Sequence, residues 1–189
     1  MKLFIFSTLL STLFLAACSN SGSTTNTASA QNDTTTSTAP VAQTKAAPAD
    51  GIINGYLQLK NALVADDDKA AGEAGKVMTK ALNAFDKSAL SADQAKVYND
   101  IEGTVKEHAA HIGDNVGNIH HQREHFESLS QDIYDLAKAV GTGQKLYFDH
   151  CPMYNNNKGA NWISEVKEIR NPYLGKSMPD CGSVKEELN

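Results

Sequence analysis

The fold is decided by residues 91–141, SADQAKVYNDIEGTVKEHAAHIGDNVGNIHHQREHFESLSQDIYDLAKAVG. It opens on Ser91-Ala92-Asp93-Gln94, a capping box in which a hydroxyl and an amide satisfy each other's free backbone N–H groups. Ala95, Tyr98, Ile101, Val105, Ala109 and Ile112 then recur every three or four residues, the period of one helix face. Gly113-Asp114-Asn115-Val116-Gly117-Asn118 breaks that period. It resumes with Ile119, Phe126, Leu129, Ile133, Leu136 and Val140 and stops at Gly141, a residue suited to a helix C-terminus. The spacing predicts two helices joined by a short turn, which makes them antiparallel neighbours.

Working outward, Ile52, Tyr56, Leu59 and Leu63 predict a helix over 52–65, with Asp50 placed to cap it. Ala74, Val77, Met78, Ala81, Leu82 and Phe85 predict another over 68–86. Asp66-Asp67-Asp68 reads as turn and cap, because it lacks the alternating ligands and glycine of a calcium loop. The expected fold is therefore all-α: an up-down antiparallel four-helix bundle. After Gly141-Thr142-Gly143 only Leu146-Tyr147-Phe148 is β-prone, and the rest, rich in Asn, Gly and Pro, reads as an irregular segment packed on the bundle through Trp162 and Tyr173.

The N-terminus sets the compartment. Lys2 precedes an apolar run from Leu3 to Ala17, too short for a permanent membrane span and built like an export signal. Its end, Leu15-Ala16-Ala17-Cys18, resembles a bacterial lipobox, which implies removal of residues 1–17 and lipidation of Cys18. Ser19 in place of Asp favours the outer membrane by the same resemblance. Residues 18–50 are Ser/Thr/Asn/Ala-rich without an aromatic residue and are expected to form a flexible tether. That leaves 51–189 as one domain facing the periplasm.

Five of the six histidines fall between positions 108 and 125. His108 and His111 are three apart, His121 and His125 four apart, so each pair can share a helix face. The 113–118 turn would bring both pairs to one end of the bundle, with His120 set apart. Imidazoles on two adjacent helices are ligands for a borderline metal such as Zn(II) or Cu(II), and Glu107 or Glu124 could ligate or accept from them.

A second group lies in the tail. His150-Cys151-Pro152-Met153 has a near-mirror counterpart in Met178-Pro179-Asp180-Cys181. Two thiols and two thioethers suit a soft ion such as Cu(I). In an oxidising compartment the same cysteines suit a disulfide. The sequence leaves both readings open, along with whether the sulfur and histidine groups meet.

Two strings carry a family resemblance: His121-Gln122-Arg123-Glu124-His125-Phe126, and the series Cys151-Pro152-Met153, Lys158-Gly159-Ala160-Asn161-Trp162, Arg170-Asn171-Pro172-Tyr173, Met178-Pro179-Asp180-Cys181-Gly182. Together they resemble bacterial envelope lipoproteins with a domain of unknown function, similar to domains appended to periplasmic adaptor subunits of copper/silver efflux systems. The resemblance implies copper or heavy-metal handling by His, Cys and Met ligands, with an efflux adaptor as partner. It moves the Cys151/Met153/Met178/Cys181 group towards a metal role, alongside the disulfide.

Other classes find little support. The net charge of −5 and the absence of a basic patch argue against nucleic acid. No serine-histidine-aspartate elbow, phosphate loop or dinucleotide fingerprint is present, so no enzyme is expected.

Overall fold

A computed structural model describes residues 47–189. The expected signal, lipid-bearing Cys18 and most of the tether lie outside the described residues.

Four helices follow in order: α1 (Asp50–Val64), α2 (Asp68–Asn83), α3 (Ala92–Asp114) and α4 (Ile119–Val140). Their ends follow local chemistry. Asp67 caps α2 by accepting from Ala70 N, and the Ser91–Gln94 capping box closes on α3 as its residues predict. Gly141 ends α4 at φ 76°, a backbone region that costs glycine little. The start of α1 differs from expectation. Ala49 occupies the cap position without a side-chain bond, and Asp50 accepts instead from Ala47 N at 2.8 Å and Gly143 N at 3.1 Å. That carboxylate ties the start of α1 to the chain leaving α4.

Successive helices pack against one another, and α4 also carries the C-terminal segment. Where α2 crosses the end of α3, a Cβ at Gly75 would lie 2.7 Å from Ala109 O. Only a glycine allows that approach. Among the described residues no helix is long and apolar enough to cross a membrane.

After Gly141 the segment expected to be irregular, with short strands possible, is more regular than that. Leu146–Cys151 (β1), Ala160–Ser164 (β2) and Ser183–Leu188 (β3) form an antiparallel sheet in the order β2-β1-β3. The chain is thus mostly helical with a small C-terminal sheet. β3, SVKEEL, offers too few apolar residues to announce a strand, and pairing supplies what its composition lacks. Its Leu188 lies opposite Leu146, and its Glu186 accepts from Tyr134 Oη at 2.6 Å and pairs with Lys138. Phe148, opposite Glu186 in β1, stacks on Tyr134 with centroids 4.0 Å apart.

An aromatic column joins sheet, tail and helices. Tyr56 of α1 stacks on Phe126 of α4 at 5.0 Å, and Phe126 meets Tyr173 at 5.6 Å. Tyr173 in turn meets Trp162 at 6.0 Å and Tyr154 at 4.5 Å. The Tyr56 hydroxyl shares a 2.8 Å hydrogen bond with Ser130 and accepts from Ile163 N at 3.1 Å. The helices and the tail thereby share one core.

That core encloses charge. Lys60 is fully buried and pairs with Glu165 at 2.7 Å. Asp149, opposite Trp162 across β1 and β2, is also fully buried, and neither of its oxygens has a hydrogen-bond partner among the described residues. Burial raises its pKa from 3.8 to about 7, against the opposing pull of Lys60.

Candidate metal centre

The last turns of α3 and the first turns of α4 meet at a junction fixed by three polar residues. Asn118 caps α4, its side-chain oxygen accepting from His121 N at 3.2 Å. Gln122 is buried and donates to Ile112 O at 3.1 Å and to Asp68 O at 2.9 Å, fastening α4 to the end of α3 and the start of α2. Asp68 accepts from Gly117 N at 2.6 Å, which holds the turn.

This scaffold gathers four imidazoles. His111, His121 and His125 each present a ring nitrogen within 4.8 Å of the other two. His125 is central: its Nε2 lies 3.2 Å from His121 Nε2, and its Nδ1 lies 2.9 Å from His108 Nδ1. The His111 ring is 4.6 Å from that of His125. Among the described residues this is the group of three or more His, Cys, Asp or Glu that comes together in this way.

The hydrogen-bond partners decide which nitrogens are free. His121 Nδ1 lies 2.9 Å from Glu124 Oε2. A carboxylate accepts, so that nitrogen carries the proton and Nε2 presents a lone pair. In the neutral cluster His125 Nε2–H donates to His121 Nε2, and His125 Nδ1 accepts from His108 Nδ1–H. An ion bound by His125 Nε2 requires the other tautomer, with Nδ1–H donating to His108. Glu124 and His108 therefore stand behind two candidate ligands and orient them, as outer partners of ligating histidines do.

The electrostatics favour a neutral ring at His125. Burial lowers the pKa of His125, and the neighbouring His108, His111 and His121 lower it further by repulsion. The hydrogen bond from His121 holds the Glu124 carboxyl below its usual range. His111 is exposed and His121 and His125 half-buried, so the group lies at the surface. Three imidazoles at the surface match a three-coordinate histidine site with a free position.

The other candidate ligands sit apart. His120 is exposed and lies 3.3 Å from Glu124 Oε1. His150 turns to Asn161, Nδ1 to Oδ1 at 2.8 Å. Cys151 and Cys181 come together, their Sγ atoms unbonded at 3.2 Å, but they do not join the histidine group. Met153 and Met178 are 50% and 39% exposed.

The sulfur pair is asymmetric. Cys151 is buried, which raises its pKa. Hydrogen bonds from the Cys181 thiol, from Met153 N and Tyr154 N and from the Asn171 side chain outweigh that and leave it below the usual thiol range. Cys181 is half-buried, and its pKa is raised, chiefly because its proton is bonded to Cys151. Sequence reasoning missed Asn171, whose neighbour Pro172 marks it only as turn chemistry. It is fully buried, donates to Cys181 O at 2.6 Å and accepts from Tyr173 N at 2.8 Å and Leu174 N at 2.9 Å.

A polar cleft of about 450 Å³ separates the first turns of α4 from the chain after Cys151, lined by His120, Glu124, Glu127, Tyr154, Asn155 and Asn156. Asn155, Asn156 and Asn157 are all left-handed, at φ 52°, 56° and 63°. Among non-glycine residues asparagine is one of the few that accept this conformation.

Residues 52–145 match a family described as "Protein of unknown function (DUF3347)". The match covers the four helices and ends just before β1, so it includes the histidine group and excludes the sulfur pair. No curated protein and no solved structure matches the chain.

Proposed function

We propose that this chain is a non-enzymatic, metal-binding lipoprotein of the cell envelope that holds copper or a related heavy metal. It would buffer the ion or pass it to the periplasmic adaptor of an efflux system. The observation that carries the reading is the convergence of His111, His121 and His125 within 4.8 Å where α3 meets α4, with Glu124 at 2.9 Å behind His121. Two imidazoles backed by hydrogen-bond partners are prepared ligands, and the exposed third lets an ion enter and leave. Imidazole favours Cu(II) or Zn(II), while the thiols of Cys151 and Cys181 favour Cu(I). The histidine group is the prepared site, and the sulfur pair, at 3.2 Å, would have to open before it held an ion.

The anchor and partner belong to the same proposal. Cys18 would carry the lipid, and the segment up to residue 50 would let the domain reach a neighbouring adaptor.

The full chain, loaded with Cu(II) or, under reducing conditions, Cu(I) and then desalted, tests the reading. About one ion per chain should be retained, and His121→Ala with His125→Ala should remove most of it. Retention below about 0.1 ion per chain, or retention untouched by the double variant, sinks the reading.

A second reading is a metal-free structural or interaction module stapled by a Cys151–Cys181 disulfide. The 3.2 Å separation of the two sulfurs favours it. A permanent bond that copper loading leaves unchanged, in a chain retaining no metal, would establish it.

A further inference from the structure

The two sulfurs stand at a distance that selects between their possible uses. A metal held by both thiolates at about 2.3 Å, even at a tetrahedral angle, needs the sulfurs about 3.8 Å apart, and about 4.6 Å if they are opposed. A disulfide needs about 2.05 Å. At 3.2 Å the pair is too close to clamp an ion without opening, and a small approach brings it to bonding distance. No third His, Cys, Asp or Glu ligand converges on it among the described residues.

The surroundings give the two sulfurs different tasks. Cys151 is fully buried at the end of β1, and its sulfur accepts from Met153 N, Tyr154 N and the Asn171 side chain. These donors stabilise a thiolate that no outside reagent reaches. Cys181 lies on the outer side, partly open to solvent, its carbonyl held by Asn171 at 2.6 Å and its N–H bonded to Met178 O at 3.3 Å. Asn171 thus contacts both halves of the pair and fixes their separation.

We propose that Cys151 and Cys181 form a reversible dithiol–disulfide couple that exchanges with an external disulfide, from a low-molecular-weight thiol or a thiol–disulfide oxidoreductase. Cys181 is the sulfur that reacts outward. Cys181 hands the proton it shares with Cys151 to the departing external sulfur as its own sulfur attacks the external disulfide, forming a mixed disulfide and releasing one external thiol. The Cys151 thiolate then attacks Cys181 Sγ along the short gap, forming the Cys151–Cys181 bond and releasing the second external thiol. Two protein thiols become one disulfide, and the external disulfide takes up the two electrons and two protons. Reduction runs the steps backwards. The couple goes beyond the metal reading and does not depend on it, since none of its groups belongs to the histidine cluster.

The test uses the full chain with a metal chelator present, equilibrated in glutathione buffers of graded potential and mapped by peptide mass. Wild type should convert between free thiols and a 151–181 linked peptide within the range of the buffers, and His121→Ala/His125→Ala should do the same. Cys151→Ser should trap glutathione on Cys181, whereas Cys181→Ser should be modified at Cys151 at least about tenfold more slowly. A wild-type chain that never forms the 151–181 peptide, or one whose bond no buffer reduces, overturns the proposal. So does equal modification of the two single variants when both retain wild-type circular dichroism. The wild-type titration decides by itself if either variant fails to fold.

Discussion

Replacing Asp149 by Asn should cost about 1–2 kcal/mol at acid pH and stabilise the protein relative to wild type as the pH becomes alkaline. The carboxyl is buried with no hydrogen-bond partner among the described residues, and Lys60, the nearest cation, is engaged by Glu165. Its folded pKa of about 7 stands above an unfolded value of 3.8. The folded state therefore holds the proton more tightly. Its contribution is complete below the unfolded pKa and is lost as pH rises from about 4 through about 7. A gap of about three, at about 1.4 kcal/mol each, sets an upper limit of about 4 kcal/mol lost by pH 8. Asn keeps the shape without the charge, although its amide adds buried donors at a cost of about 1–2 kcal/mol at every pH. The difference between pH 8 and pH 4 is therefore the quantity to measure. Urea unfolding of wild type and Asp149→Asn should show the variant gaining about 3–4 kcal/mol relative to wild type across that interval. A pH-independent difference, or a variant that loses ground at pH 8, would refute the reasoning and show that the buried carboxylate is ionised and satisfied.

Three further outcomes follow from contacts already described. Glu124→Ala removes the acceptor behind His121 from an exposed position, so metal affinity measured by chelator competition should fall about 10–100-fold without loss of stability. An unchanged affinity would remove Glu124 from the site. Arg123→Met removes the 2.7 Å bond to Pro172 O, the 2.9 Å bond to Leu63 O and the ion pair with Asp66. Those bonds join α4, the α1–α2 turn and the tail, so denaturant unfolding should show a loss of about 2–4 kcal/mol, and a loss under about 0.5 kcal/mol would mean solvent replaces them. Tyr173→Phe removes the hydroxyl that donates to Asn161 O and lies 3.4 Å from Ser130 Oγ. It should cost about 1–2 kcal/mol with the aromatic column preserved, as near-ultraviolet circular dichroism would report.

The helical half was legible because its information is local. A stripe repeating every three to four residues, a capping box and a six-residue break state where α3 and α4 begin and end, and their pairing then brings His108, His111, His121 and His125 together without reference to the rest of the chain. The sheet was not legible for the opposite reason. β3 becomes a strand by pairing with β1, and its inward Glu186 is held by Tyr134 and Lys138 of α4, partners that no pattern within SVKEEL reveals. Asp50 shows the same limit on a smaller scale. Its position suggested a cap, but its bond to Gly143 N spans 93 residues. The roles within the histidine group were also hidden, since spacing says which rings share a face but not which nitrogens meet, whereas the ring nitrogens place His108 behind His125 and His121 beside it. Asn171 passed as a turn residue because burial, which gives it its importance, is a property of the folded chain.

The α3–α4 hairpin also bears on the order in which the molecule assembles. The hydrogen bonds among the histidines span at most 17 residues. The sulfurs are 30 residues apart, and the segment that carries them is held by bonds reaching back 107 residues to Tyr56. Closing short loops costs less entropy and comes earlier than pairing distant strands. A chain made N-terminus first can therefore complete its imidazole group while β3 is still to come. An ion that binds there stabilises the unfinished hairpin as well as the finished domain, so metal supply would influence how the protein matures in addition to what it carries afterwards.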